Sequence, residues 1–154
     1  MKNAPQDLAI TVATIADIPE MHRVRLSVRE NRLGDPSRVT RSHYENMIQV
    51  GGKGWVAKID GQVRGLSFAD RDKRYIWALF VEPGFDRRGL GRGLHDHAVG
   101  WLFEQSPHPI WLTTDPGTRA EGFYTRAGWE CIGTEPNGEY RLELKLENWK
   151  SQGV

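Results

Sequence analysis

The stretch from Ile76 to Leu102, IWALFVEPGFDRRGLGRGLHDHAVGWL, constrains the rest of the chain more than any other. It reads as a strand, a loop opened by Pro83, a run of glycines and arginines, and an amphipathic helix. Tyr75, Trp77, Leu79 and Val81 share one face of the strand and Ile76, Ala78 and Phe80 the other. Apolar on both sides, such a strand belongs in the middle of a sheet. Gly89, Gly91 and Gly93 carry no Cβ and let a ligand come close to the backbone. A loop entering a helix turns free backbone N–H groups toward one point, at the positive end of the helix dipole, and so makes a seat for a phosphate. Arg87, Arg88 and Arg92 surround that seat with charge that persists at ordinary pH. Leu90, Leu94, Ala98, Trp101 and Leu102 then recur at helical spacing and predict a helix packed on the sheet.

The flanking sequence supplies the other layers. Leu8 to Thr14 reads as a first strand, and Asp17 with Glu20 is a capping-box start for a helix striped by Ile18, Met21, Val24 and Val28. Gly34-Asp35-Pro36 stops that helix. Thr40 caps a shorter one with Tyr44, Met47 and Ile48 inward, closed by Gly51-Gly52. Two strands, Gly54 to Ile59 and Gln62 to Ala69, flank Asp60-Gly61, a strong hairpin signal. After the glycine-rich helix come a strand within Pro107 to Asp115 and a helix capped by Thr118 and Glu121 and ended by Gly128. A strand from Trp129 to Thr134, a turn at Asn137-Gly138, and a last strand from Tyr140 through Leu142, Leu144 and Leu146 follow.

At 154 residues the chain predicts one domain, 1–154, with 1–7 and 148–154 as loose ends. Lys plus Arg total 21 against 20 Asp plus Glu, so charge gives no sign of a general nucleic-acid or membrane binder. The single cysteine, Cys131, fits a reducing, cytoplasmic setting and reads as a small buried residue. His95-Asp96-His97 has the look of a metal group, but residues two apart on a helix do not share a face, and no metal is expected.

Two features together, the strand-loop-helix at Ile76 to Leu102 and GTRAEGFYTRAGW from Gly117 to Trp129, resemble the GNAT superfamily of acetyl-CoA-dependent N-acetyltransferases. The resemblance spans roughly Leu8 to Leu146 and includes the order β-α-α-β-β-β-α-β-α-β-β. It implies an α/β single domain with a mixed, mostly antiparallel sheet of about seven strands flanked by about four helices. In the family, Gln/Arg-x-x-Gly-x-Gly/Ala holds the pyrophosphate of coenzyme A through backbone amides. Two registers fit here. Asp86 to Gly91 has the usual distance from the strand, with Asp86 where Gln or Arg is usual, while Arg88 to Gly93 fits the letters two residues late.

By the same resemblance, acetyl-CoA would be held by Leu79, Phe80, Val81, Arg87, Arg88, Gly89, Leu90, Gly91, Arg92 and Gly93, between splayed strands. Tyr124 matches a tyrosine near the cofactor sulfur in many members. Gly117 stands where the second motif usually has Asn. Glu30, Asn31, Arg32 and Asp35 fall where relatives build the acceptor wall. The implied reaction is acetyl transfer to a primary amine, small-molecule or peptide, by direct attack in a ternary complex; paired subunits are common among relatives. The thiolate that leaves needs a proton, which a phenol within reach can give. For the base, Glu30, Asp70, Glu82 and Asp115 are the acidic candidates. The alternative reading is a noncatalytic acyl-CoA-binding or regulatory domain.

Overall fold

Leu8–Val12 (β1), Gly52–Ile59 (β2), Gln62–Asp70 (β3), Tyr75–Val81 (β4), Ile110–Thr114 (β5), Glu130–Thr134 (β6) and Tyr140–Leu144 (β7) hydrogen-bond into one sheet. Its strand order is β1-β2-β3-β4-β5-β7-β6. The computed structural model describes residues 8–28, 40–86 and 88–152. Every neighbouring pair is antiparallel except β4 and β5, which run parallel. A parallel pair needs a crossover, and helix α3 (Leu90–Gln105) provides it. The expected mixed, mostly antiparallel seven-stranded sheet is therefore present, with β4 fourth of the seven.

The sheet separates two apolar layers. On one face Leu90, Leu94, Ala98, Val99 and Leu102 of α3 pack with Tyr124 of α4 (Arg119–Arg126) and Trp149 of α5 (Leu146–Ser151). On the other, Ile18, Met21 and Val24 of α1 (Ile18–Ser27) and Tyr44 of α2 (Arg41–Asn46) pack on Val56, Leu66 and Phe68. Asp60 and Gly61 both take positive φ in the β2–β3 turn, as a two-residue hairpin of matching twist requires.

Four readings are corrected. The strand pattern through Leu146 ends at Leu144, and Leu146 opens a fifth helix whose Trp149 is buried, so residues 148–151 are part of the folded domain. Trp77 does not share a face with Tyr75, Leu79 and Val81: Phe68 pairs with Ala78 and Ala69 with Ile76, which leaves Trp77 bulged out of the ladder. It turns to the α1–α2 side, against Tyr44 and Phe68 at ring separations of 5.6 and 5.4 Å. α1 does follow Asp17, but the capping box lies one turn earlier, where Thr14 N–H donates to Asp17 (2.9 Å), and Glu20 is occupied by Arg23 instead. Cys131 is exposed, because β6 is the sheet edge and all five of its residues face solvent.

Candidate active site

β4 and β5 pair only at Tyr75 and Trp111. What holds them there is local and strong. Arg74, forced to φ +56°, spreads its guanidinium over the carbonyls of Leu102 (2.6 Å), Ser106 (2.8 Å) and His108, where the negative end of α3 favours a cation. Trp111 N–H donates to Arg74 O (3.0 Å), and the Trp111 ring is sandwiched between Tyr75 (4.2 Å) and the Arg141 guanidinium (3.7 Å). Beyond this clasp the strands part, and between them opens a cleft of about 1560 Å³. That exceeds the roughly 300–1,000 Å³ of an ordinary small-ligand pocket and suits an elongated guest with room for a second reactant.

One wall is the free edge of β4. Glu82 N–H donates to Arg64 O on β3 (2.8 Å). Since antiparallel strands alternate in the direction of their backbone groups, Val81 and Leu79 aim their N–H and C=O away from β3 and into the cleft, while Phe80 bonds toward β3. Of the three strand residues expected to present backbone groups, Leu79 and Val81 do so; Phe80 contributes a side chain.

At one end of the cleft lie Pro83, Gly84, Asp86, Gly89, Gly91 and Arg92. Gly89 is the residue before α3 and takes φ +81°, a conformation costly for any side chain. The first helical bond runs from Gly93 N–H to Gly89 O (3.0 Å), so the amides of Leu90, Gly91 and Arg92 precede the hydrogen-bonded helix, with no side-chain cap on them. A Cβ built on Gly91 would touch only Val81, at 3.8 Å, whereas one on Gly93 would fall 2.4 Å from Ile10 Cδ1. Gly93 is thus a packing glycine under β1, outside the cleft, and the register from Asp86 to Gly91 is the one that meets it. Arg88 lies over the Phe85 ring (5.3 Å), the Leu90 side chain is buried in the core, and neither lines the cleft. Arg87 lies outside the described residues, as do Glu30, Asn31, Arg32 and Asp35.

Both departures from the family motifs have structural partners. Asp86 accepts from Arg119 at the start of α4 (2.7 Å), which ties the loop to that helix across the mouth of the cleft. Gly117, at φ +75°, donates its N–H to Glu121 (2.7 Å), and Glu121 N–H donates to Thr118 (3.2 Å), so this turn caps α4 with its own residues.

Tyr124 lines the cleft yet is only 6% exposed, set among Phe123, Trp129 and His95. Burial, reinforced by Tyr75, pushes its phenol well above the ordinary tyrosine range and keeps it protonated. His95 is a core residue. Trp129 Nε1–H donates to His95 Nε2 (3.0 Å), and an indole can only donate, so Nδ1 carries the proton and gives it to Asp96 (2.8 Å). Asp96 also accepts from Arg92 Nε (3.1 and 3.2 Å). Burial opposes the charge on Asp96, but the hydrogen bond from His95 and the neighbouring charge of Arg92 outweigh it and hold the carboxyl below its usual range. His97 points elsewhere, stacked at 6.2 Å on Trp55.

Of the acidic candidates, Glu82 is locked between Arg23 and Arg64 (2.7 Å to the latter), and Asp70 accepts from Lys73 N–H (3.1 Å) in the β3–β4 turn; neither lines the cleft. Asp115 lines it, and its carbonyl accepts from Thr118 (2.9 Å). The carboxylate that sequence reasoning passes over is Glu139, in the cleft wall just before β7 and oriented by Asn137 Nδ2–H (2.6 Å). Arg25 of α1, Val28 just after it, and His43 and Tyr44 of α2 also line the cleft.

The fold is that of GNAT acetyltransferases. The chain superposes on the ribosomal-protein-S18-alanine N-acetyltransferase of Escherichia coli with a TM-score of 0.74, 14% identity and 91% and 94% of the two chains covered. For PaiA N-acetyltransferase from Thermoplasma acidophilum, in complex with coenzyme A, the values are 0.79, 13%, 90% and 99%. For a GNAT-family acetyltransferase from Staphylococcus aureus Mu50 they are 0.77, 19%, 91% and 99%. No curated protein matches the chain in sequence. The acetyltransferase (GNAT) family profile matches residues 18–129, most of the chain, and the protein belongs to that family of acyltransferases. No helix among the described residues is long and apolar enough to cross a membrane.

Proposed function

We propose that the protein transfers an acetyl group from acetyl-CoA to a primary amine by direct attack within a ternary complex, in a cytoplasmic setting. The observation that carries this reading is the single-rung pairing of β4 and β5, with unpaired helix amides at one end of the resulting cleft. The residues fit coenzyme A: Gly91 leaves its surface open, the amides of Leu90, Gly91 and Arg92 offer donors for a diphosphate, and Leu79 and Val81 offer a strand edge for an amide-containing arm. When bound, acetyl-CoA supplies an activated acyl group: a C–N bond to the amine forms, the C–S bond breaks, the amine loses a proton and the thiolate gains one.

The chain's own groups serve that exchange. The Val81 N–H, aimed into the cleft, would serve as a fixed donor to the carbonyl oxygen on which negative charge gathers if the thioester lay against it. Tyr124 offers a protonated hydroxyl to the thiolate. Because burial disfavours the phenolate, its first contribution is a hydrogen bond, with full proton transfer uphill until solvent or product restores the proton. Asp86 also lines the cleft but accepts from Arg119, which leaves Asp115 and Glu139 as the acidic groups of the wall placed to take the amine's proton, directly or through water.

The test is a thiol-release assay with acetyl-CoA and a library of primary amines. Release that depends on both reactants, with intersecting initial-rate lines, supports the ternary complex; parallel lines would point to an acylated enzyme instead. Coenzyme A binding with no release for any amine would favour a noncatalytic binding domain.

A further inference from the structure

The end of the cleft away from α3 carries a charged group that neither the fold nor the proposed chemistry uses. Arg25, on α1, lays its guanidinium over the Phe80 ring at 4.1 Å and lines the cleft beside Tyr44 and His43. Its Nη1 is buried and has no hydrogen-bond partner among the described residues. A guanidinium nitrogen buried without an acceptor is costly, and a ligand that supplies one in the cleft relieves that cost. Burial, only partly offset by Tyr44 and Glu139, lowers its pKa, but it starts so high that the charge remains.

Across the same opening stands Glu139, fixed by Asn137 and joined to Arg25 by no ion pair. The two charges sense each other without closing the gap. Trp77, Phe80 and Val28 add apolar side chains to the lining of the same cleft. A positive group and a negative group held apart in one cleft match a guest that bears the opposite pair.

Resting on the acetyltransferase reading above, we infer that the acceptor is a small amine that also bears a carboxylate, its carboxylate received by Arg25 and its ammonium drawn in beside Glu139. Arg25 is then a specificity-determining residue. A forked guanidinium meets a carboxylate through two parallel bonds, which also sets the amine's orientation before it reaches the thioester.

The test uses the full chain with matched triples: leucine, leucinamide and isopentylamine, with the same set for phenylalanine and alanine, and an N-terminal leucyl peptide with a blocked carboxyl end. The amino acid should exceed its amide and its decarboxylated amine by about 10- to 100-fold in kcat/KM in at least one triple. Arg25→Gln should bring that ratio close to one through the acceptor KM, with coenzyme A affinity as the check on folding. Arg25→Lys should restore part of the ratio, which a purely structural arginine would not do. Equal rates across every triple, or a blocked peptide used as well as leucine, would overturn the inference while leaving the transferase reading intact. If no amine releases thiol, the transferase reading fails, and calorimetry with coenzyme A present still decides the Arg25 site: leucine should bind the wild type and not Arg25→Gln, and no difference between them refutes it.

Discussion

Tyr124 owes its place to a short helix and its state to its neighbours. Its ring is packed by Phe123 and Trp129, so Tyr124→Phe removes the hydroxyl with little disturbance of the core. Turnover should fall by about 100-fold while coenzyme A affinity stays the same; a wild-type kcat in steady-state assays would remove the hydroxyl from the chemistry. Tyr44 makes a second, independent prediction. Burial, partly countered by Arg25, pushes its pKa up to about 12. Below about pH 10 the hydroxyl is protonated in both folded and unfolded chains; between pH 10 and 12 only the unfolded chain ionises, so stability drains away by about 2 kcal/mol from this residue. Urea titrations at pH 9 and pH 11.5 should show that loss, and Tyr44→Phe should make it smaller. Tyr124 could be read from the sequence because Phe123-Tyr124 sits in a motif. Arg25 and Glu139 could not: one lies on an ordinary helix and the other ends a turn, and only the folded chain sets them across one opening.

Among the elements, the glycine-rich turn into α3 was legible in outline and not in detail. Three glycines suggest three close approaches, yet Gly91 faces open cleft and Gly93 faces Ile10, because residues two apart on a helix point in different directions. Gly91→Glu should lower coenzyme A affinity by on the order of 100-fold, since it puts a carboxylate where a diphosphate would lie. Gly93→Ala should leave that affinity unchanged, its crowding of Ile10 felt in stability alone; calorimetry and melting curves separate the two. Alternation misplaced Trp77 because it assumes an unbroken ladder, and the bulge between Ile76 and Ala78 breaks it. Leu146 satisfied the strand pattern and the first turn of a helix equally, and Trp149, packed near His95 at 6.1 Å, decides for the helix.

For the molecule as a whole, the order of strands and helices along the chain followed from hydrophobic periodicity and turn chemistry, whereas the mixed sheet and the parting of β4 from β5 were available only through likeness to a family. Apolar side chains indicate that a strand is central, not whether its neighbour stays beside it. Here the Arg74 clasp keeps one rung and the rest are missing. A protein so built is thermodynamically unfinished, with a vacancy in its own backbone ladder that a guest's amides could fill. Saturating coenzyme A, at 100 times its dissociation constant, should therefore add about 2.7 kcal/mol to the free energy of unfolding. Hydrogen–deuterium exchange at the amides of Leu79 and Val81 should slow in the same experiment, while Phe80, already bonded to β3, responds less. A guest that raised the melting point without slowing those two amides would have to be lodged elsewhere.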